Sequence, residues 1–270
     1  MSAGPRAAPK FPLRLDQVKP AARAEATPLL RPQRPLQQAA VEQRGRAATP
    51  AGLGLDSHHV RERMLARLQA EGVRDARVLA AMRAVPRHAF VDTALANQAY
   101  EDTSLPIGLG QTISKPSVVA RMVELMLAAQ PVGARPSLLE IGSGCGYQAA
   151  VLAQLARQVI SIERLRPLYD KARSNLAALH VTNLRLVYGD GRIGHAPNAP
   201  YDGIIAAAGG EDIPAPWLDQ LAPGGRLVAP MLDARSGGQV LVVIDRHADG
   251  SLQRSLHEAV RFVPLKSGID

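Results

Sequence analysis

Three glycines at alternate positions follow an acidic residue in residues 138–147. This stretch begins as an apolar run typical of a buried strand, which contains Glu140. The glycines Gly142, Gly144 and Gly146 follow this run, and a helical pattern begins directly after them. A glycine-rich turn here lets the backbone approach a ligand closely and points helix N-terminal amides toward it. The dinucleotide fingerprint Gly-x-Gly-x-x-Gly does not fit, because Tyr147 would occupy its third small position. A plain glycine turn in another α/β protein remains the alternative.

Two further acidic residues come where strands are expected to end. Glu163 closes the next strand, 21 positions after Gly142, and Asp190 lies between two glycines after the strand that follows. Ligands of doubly wound sheets bind beyond the carboxyl ends of the strands. At these positions Glu163 is expected to accept hydrogen bonds from ribose hydroxyls, and Asp190 from an adenine amino group. Together, the glycine turn and the two acids predict a nucleoside-containing ligand.

The elements that must position these residues alternate between strands and helices. Strands are predicted at 137–141, 158–162, 184–188, 203–207, 226–230 and 239–246, with a further run at 253–263, and helices at 117–129, 147–156, 167–179 and 215–221. This alternation predicts an α/β, doubly wound and mostly parallel sheet with an antiparallel C-terminal edge. Two helices at 58–70 and 76–84 form an N-terminal cap, with Asp56-Ser57 as the helix start. Residues 87–115 are expected to be a long irregular segment, which is usually functional.

Composition is that of an ordinary globular protein, with 46% hydrophobic and 21% charged residues. The single cysteine excludes an internal disulfide framework. We expect a cytoplasmic chain, because no apolar run is long enough for a membrane span and the start lacks the apolar core of a signal peptide. The net charge is +8, but nine Lys/Arg and three acids place +6 of it in residues 1–55. The remainder is nearly neutral and predicts no specific nucleic-acid face.

Residues 1–55 form a predicted tail that precedes the folded domain at 56–270. The tail holds eight of the 21 prolines and shows no sustained helical or strand period. Such a composition predicts a disordered or loosely extended segment. A transit peptide and an over-long start assignment remain open as its origin.

Several motifs, in order along the chain, carry a family resemblance. They are VPRHAFVD at 85–92, LPIGLGQTISKP at 105–116, LEIGSG at 139–144, YGDG at 188–191, PYDGII at 200–205, LAPGGRLV at 221–228 and VRFVPL at 260–265. The glycine turn resembles the cofactor loop of S-adenosylmethionine-dependent methyltransferases in general. The complete set, over about residues 57–266, resembles the protein-L-isoaspartate O-methyltransferase family, and the loop that contains Gln-Thr-Ile-Ser is its most specific part.

The resemblance implies methyl transfer to the α-carboxylate of isoaspartyl residues in damaged proteins, and the methyltransferase-class seven-stranded sheet. It implies Ser114 as the active-site serine, which positions the carboxylate and is not a nucleophile. It also implies S-adenosyl-L-methionine as the cofactor and the following cofactor-binding residues: Ile113, Pro116, Glu140, Gly142, Ser143, Gly144, Gly146, Glu163, Asp190 and Gly191. Glu140 is expected to order the loop or the amino acid part of the cofactor. We expect no metal, a monomer, and isoaspartyl proteins and peptides as partners.

Two positions depart from the family pattern; neither departure removes a proposed functional group, and only the second concerns the substrate-side rim of the expected site. Cys145 stands where the family often has serine, and residues 209–212 read Gly-Gly-Glu-Asp in place of an Ala/Pro-rich turn. The backbone of residues 262–264 is expected to flank the peptide. A methyltransferase with another acceptor and a non-catalytic binding module remain the alternatives.

Overall fold

The computed structural model describes residues 58–270. The predicted tail at 1–55 and the helix start at Asp56-Ser57 lie outside the described residues. The domain boundary after residue 55 therefore stays a prediction.

The two predicted cap helices are present as α1 (His58–Ala70) and α2 (Ala76–Ala84). The Asp75 side chain caps α2 by accepting a hydrogen bond of 2.8 Å from the backbone N–H of Arg77. Each helix buries one apolar face, which includes Leu68 of α1 and Met82 of α2.

Residues 87–115 have regular structure, so the prediction of a long irregular segment was wrong. The segment contains two 3₁₀ helices, Arg87–Phe90 and Thr93–Gln98, and an antiparallel hairpin made of β1 (Leu105–Gly108) and β2 (Gln111–Ile113). These pieces are three to six residues long, so no period is long enough to be recognised in the sequence. The hairpin ends at the residue before Ser114, and tertiary contacts must therefore hold that serine.

A seven-stranded sheet forms the centre of the described part of the chain. Its strands are β3 (Ser137–Ile141), β4 (Gln158–Glu163), β5 (Leu184–Tyr188), β6 (Tyr201–Ala206), β7 (Leu221–Leu232), β8 (Gln239–Arg246) and β9 (Leu252–Val260). The spatial order is β5-β4-β3-β6-β7-β8-β9. The first five strands in this order are parallel, whereas β8 and β9 are antiparallel. The predicted fold class is confirmed.

One helix precedes the first strand of the sheet, and three others connect parallel strands. They are α3 (Pro116–Leu127), α4 (Tyr147–Leu155), α5 (Arg166–Ala177) and α6 (Ala215–Asp219). Pro116 is the first residue of α3, where a missing N–H does no harm. The Asp102 carboxylate caps this helix from another segment by accepting hydrogen bonds from the Ser117 N–H at 2.9 Å and hydroxyl at 2.8 Å.

The strand order reverses at β3, which pairs with β4 on one side and with β6 on the other. The chain moves outward from β3 through β5 and then crosses back to β6. Such a reversal opens a crevice at the carboxyl ends of the strands, where ligands of this architecture bind. Within residues 58–270, no helix combines the length and the apolar character needed to cross a membrane.

Candidate active site

A cavity of about 530 Å³ lies at this crevice. Seven of the predicted site residues line it: Ile113, Ser114, Gly142, Ser143, Gly144, Glu163 and Gly191. Four others are not part of the lining: Pro116, Glu140, Gly146 and Asp190. The sequence therefore predicted where the cavity lies, and the cofactor-binding roles of the other four residues stay predictions.

The glycine loop between β3 and α4 turns through left-handed backbone conformations. Gly142, Gly144 and Gly146 have φ values of 90°, 56° and 92°, which side chains other than glycine rarely adopt. A Cβ at Gly144 would lie 3.2 Å from the Ile107 side chain, and one at Gly146 would lie 3.1 Å from Leu176. Gly144 thus keeps the cavity open against the hairpin, whereas Gly146 starts α4 behind the cavity wall.

Glu140 lies behind the glycine loop and is 0% exposed. Its carboxylate accepts a hydrogen bond from the Ser161 hydroxyl, which lies 2.5 Å from the Ser143 hydroxyl on the cavity wall. Burial raises the pKa of Glu140 to about 8, against the opposing effect of the hydrogen bond from Ser161. This placement supports loop ordering through the two serines, and the part of Glu140 in cofactor binding stays a prediction.

Glu163 is the acidic residue that reaches the cavity wall from the end of β4. Its Oε2 accepts a hydrogen bond of 2.9 Å from the Gly144 N–H, and its Oε1 accepts one of 2.9 Å from the Leu165 N–H. Burial raises the pKa of this carboxyl, although hydrogen bonds from backbone amides oppose the shift. Each carboxylate oxygen can accept a further hydrogen bond, so Glu163 can hold the loop and a diol at the same time.

Asp190 begins the turn after β5 and holds backbone on both of its oxygens. Oδ1 accepts a hydrogen bond of 2.8 Å from the Arg192 N–H, and Oδ2 accepts one of 2.6 Å from the Gly268 N–H. The predicted contact of Asp190 with an adenine amino group therefore stays a prediction. The adjacent Gly191 lines the cavity, and its carbonyl accepts a hydrogen bond of 2.8 Å from Trp217 Nε1.

The C-terminal segment, defined here as residues 263–270, crosses the mouth of the cavity. Its lining residues are Val263, Pro264, Leu265, Lys266 and Asp270. Gly209 anchors one end, because its N–H donates to the Val263 carbonyl and its carbonyl accepts from the Leu265 N–H, both at 2.8 Å. At the other end the Asp270 carbonyl accepts hydrogen bonds from the Arg166 N–H at 3.0 Å and the Tyr188 hydroxyl at 2.8 Å.

Gly209, the first residue of the turn that departs from the family pattern, lies close to the Gln239 side chain. A Cβ at Gly209 would lie 2.3 Å from the Gln239 side-chain nitrogen. The side-chain oxygen Oε1 of Gln239 accepts a hydrogen bond of 2.6 Å from the Phe262 N–H. Glycine at 209 thus leaves room for the glutamine that fixes the start of the C-terminal segment.

Ser114 lies between the first cavity and a second one of about 630 Å³. The walls of both cavities share Thr112, Ser114, Ala207 and Val263. The second cavity includes Lys115 and Arg261 and no carboxylate among its lining residues. A carboxylate in the second cavity would therefore lie close to positive charge and beside the serine hydroxyl.

Three contributors to the site were missed by the sequence reasoning. Tyr147 and Gln148 line the first cavity from the start of α4, and Arg87 contacts the Ser114 backbone from beneath. Arg87 stands in the motif at 85–92, which carried the resemblance but gave no sign of its burial. Cys145 also lines the cavity, and burial raises the pKa of its thiol to about 11.

Comparisons with known proteins agree with this geometry. A model of the protein-L-isoaspartate(D-aspartate) O-methyltransferase family matches residues 59–270. A protein-L-isoaspartate O-methyltransferase of Methylibium petroleiphilum is 89% identical over 270 residues, which is 100% of both chains. A relative with the same name from Leptothrix cholodnii is 65% identical over 239 residues, or 88% of this chain and 84% of that one.

Solved structures give the same result for the fold. A structure named protein-L-isoaspartate O-methyltransferase is 28% identical, with a TM-score of 0.69, and covers 77% of this chain and 67% of that one. A Plasmodium falciparum protein, described as a putative member in complex with S-adenosyl-L-homocysteine, is 24% identical, with a TM-score of 0.66 and coverage of 75% and 96%. Because the family match spans every residue that lines the two cavities, the chain belongs to the protein-L-isoaspartate O-methyltransferase family.

Proposed function

We propose that the chain transfers the methyl group of S-adenosylmethionine to the α-carboxylate of L-isoaspartyl residues in damaged proteins, with Ser114 as the group that positions the acceptor. The activity is that of its family and of its 89% identical relative. The observation that carries the assignment of Ser114 is its place on the walls of both cavities. A residue at this junction can touch an acceptor on one side and a methyl donor on the other.

The first cavity fits the methyl donor by size and by chemistry. Ligand pockets usually measure about 300–1,000 Å³, and this one measures about 530 Å³. Glu163 offers carboxylate oxygens to the ribose hydroxyls, Gly191 offers backbone next to the adenine, and Gly142 and Gly144 allow close approach of the amino acid part. When bound, S-adenosylmethionine supplies a sulfonium methyl group that a carboxylate oxygen can attack.

The second cavity is the proposed acceptor site. Its lining includes Lys115 and Arg261, and the backbone of residues 261–263 runs along it. These cations favour an ionised carboxylate over a neutral side chain. An extended peptide laid along residues 261–263 would bring its isoaspartyl carboxylate to Ser114.

The chemistry asks little of the protein beyond alignment and partial desolvation. The α-carboxylate is already ionised at neutral pH, so no strong general base is required. The Ser114 hydroxyl donates a hydrogen bond to one carboxylate oxygen, which leaves the other free to face the methyl group. Well-oriented reactants gain several orders of magnitude in rate. The methyl ester that forms is more open than a carboxylate to attack by the next backbone amide nitrogen, which expels methanol and closes a succinimide. Hydrolysis of the succinimide returns normal aspartate in part.

The partners and the cellular setting belong to the same proposal. The substrates are damaged proteins and peptides, and the chain acts as a monomer in the cytoplasm without a specific nucleic acid. The near-neutral charge of residues 56–270 supports the last point, because nucleic-acid binding surfaces carry a marked excess of Lys and Arg.

The test compares two peptides of one sequence, one with L-isoaspartate and one with normal aspartate, under labelled S-adenosylmethionine. We expect strong discrimination, because the normal residue holds its carboxylate one bond farther from the backbone and small misplacements cause large losses in rate. Equal methylation of both peptides would remove the isoaspartyl assignment and favour another acceptor. The absence of methyl transfer to any acceptor, with cofactor binding intact, would favour the binding module.

A further inference from the structure

Arg87 is a fully buried cation at the start of a 3₁₀ helix, with 0% exposure. Its Nη2 donates a hydrogen bond of 2.7 Å to the Ser114 carbonyl, and its Nε donates one of 2.7 Å to the Ala99 carbonyl. Within residues 58–270 it forms no salt bridge. Burial lowers the pKa of the guanidinium, and the groups that oppose this shift include Tyr147 and the Asp102 carboxylate. The guanidinium also lies over an aromatic ring.

That ring belongs to Tyr147, whose centroid lies 4.8 Å from the guanidinium carbon of Arg87. Tyr147 is the first residue of α4 and lines the first cavity. Phe90 packs against the same ring in an edge arrangement at 5.6 Å. Arg87 therefore connects the Ser114 backbone with the start of the helix that follows the glycine loop.

The backbone at Ser114 needs such a connection. The ladder between β1 and β2 ends with the pair Leu105 and Ile113, one residue before the serine. Lys115, the next residue, precedes a proline and has a non-helical ψ of 144°. The Ser114 carbonyl is thus held by the Arg87 side chain at the point where the hairpin has ended and α3 has not yet begun.

We propose that Arg87 is a positioning residue for methyl transfer: through the Ser114 carbonyl it fixes the serine backbone relative to the glycine loop, so that the hydroxyl meets the acceptor carboxylate. This inference rests on the proposed role of Ser114. Arg87 touches neither acceptor nor cofactor, and its effect passes through the serine. Its loss lowers the rate of the chemical step and leaves cofactor affinity in place.

The test is a double-mutant cycle with Arg87→Lys, Ser114→Ala and the variant that combines both. Lysine keeps the charge but cannot hold two carbonyls in the fixed fork of a guanidinium. We expect Arg87→Lys to lower kcat about 10- to 100-fold for the isoaspartyl peptide, with the Kd for S-adenosylhomocysteine changed by less than about two-fold. In the Ser114→Ala background the same substitution should lower kcat by less than about three-fold, because coupled residues are not additive.

Arg246 provides a matched control. Its Nη1 donates hydrogen bonds to the Leu218 and Leu221 carbonyls at 3.0 Å and 2.7 Å, away from both cavities. Arg246→Lys removes the same kind of backbone contact and should leave kcat unchanged. Turnover is expressed per S-adenosylhomocysteine-binding site from calorimetry, so that partial unfolding does not count as a catalytic loss. Arg87→Gln is the second variant if Arg87→Lys does not fold.

Two outcomes would overturn the proposal. An unchanged kcat per binding site in a folded Arg87 variant would make the residue a purely structural one. An equal loss of kcat with and without the Ser114 hydroxyl would show that Arg87 does not act through the serine. Failure of the proposed function itself has a different signature, because the wild-type chain would then not methylate the isoaspartyl peptide at all.

Discussion

Glu140 and Glu163 are two buried glutamates at the ends of neighbouring strands, and their surroundings give them different tasks. Glu140 is 0% and Glu163 is 5% exposed. Only Glu163 lines the cavity, while Glu140 bonds to Ser161 behind the loop. Position at a strand end alone does not distinguish the two glutamates. The packing around each side chain does, because it leaves only Glu163 at the cavity wall.

The substitution Glu163→Gln tests the cofactor contact. The amide keeps the size of the side chain but replaces one acceptor oxygen with an NH₂ donor. This donor cannot accept a hydrogen bond from the backbone N–H group that it faces, nor from a ribose hydroxyl. Hydrogen bonds to a charged group contribute about 1.5–3 kcal/mol, so we expect the Kd for S-adenosylhomocysteine to rise about 10- to 100-fold. Calorimetry measures the Kd, with the exposed Glu211→Gln as control. An unchanged Kd in folded Glu163→Gln would return Glu163 to a structural role.

Glu140 predicts a pH dependence of stability whose sign follows from its pKa. The unfolded carboxyl releases its proton near 4.5, and the folded one holds it up to about 8. Between these values the folded state binds more protons, so the free energy of unfolding falls as the pH rises, by on the order of 1 kcal/mol per unit. Below this pH range the contribution of Glu140 to the free energy of unfolding is complete. Above it, this contribution falls no further.

Urea unfolding of the cofactor-free protein at pH 6 and pH 8 measures this effect. We expect Glu140→Gln to lose less stability than the wild type between the two values, because its amide does not titrate. Glu211→Gln, at an exposed position, should follow the wild type. Parallel losses in all three proteins would contradict the raised pKa.

At the level of elements, the strands and long helices could be predicted and the segment 87–115 could not. β3 is a continuous apolar run between breakers, and α1 and α2 have clear ends, so local patterns were sufficient. β7 extends beyond its predicted bounds of 226–230 because it pairs with β8 through Leu232. The 3₁₀ helices and the hairpin are held by contacts between residues that are not close in sequence. Examples are the hydrogen bonds that the Arg87 side chain donates to the Ala99 and Ser114 carbonyls.

Asp102 shows how such a distant partner supports an element. It supplies the cap of α3 from 15 positions earlier in the chain. Asp102→Ala removes both hydrogen bonds to Ser117, and we expect a loss of about 1–2 kcal/mol in the free energy of unfolding. Chemical denaturation measures the loss.

The control for Asp102→Ala is Asp92→Ala. Asp92 forms an ion pair of 2.9 Å with Lys171 and is 64% exposed, so its removal should change the free energy of unfolding by less than about 1 kcal/mol. Equal losses in the two variants would show that the contribution of Asp102 does not come from capping.

At the scale of the whole molecule, the alternation of strands and helices was enough to predict the fold class and the edge of the sheet that holds the cavity. The resemblance placed the backbone of residues 262–264 beside the peptide. The course of residues 265–270 could not be predicted, because it depends on Gly209, Asp190 and Arg164, which are far away in sequence. Seven of the eleven predicted site residues line the cavity. Three of the remaining four, Glu140, Gly146 and Asp190, are next in sequence to a lining residue, whereas Pro116 begins α3 two residues after Ser114. A motif indicates a loop but not which of its side chains turn inward.

The family match begins at residue 59, and this leads to a prediction for the tail. We expect deletion of residues 1–55 to leave kcat and Tm nearly unchanged, because a segment with eight prolines and few large apolar residues buries too little surface to offset its ordering. Activity assays and thermal unfolding of the shortened chain provide the check. A fall of several degrees in Tm would show that the tail packs on the domain.

The chain contains a single cysteine, and it lies in the glycine loop at the wall of the first cavity. Cys145 is 3% exposed, and its high pKa leaves little thiolate at neutral pH. An alkylating reagent can therefore modify the folded protein only when the loop moves away from its neighbours. The rate of labelling at the Cys145 sulfur thus measures how often the glycine loop opens. No engineered cysteine is needed to follow this opening.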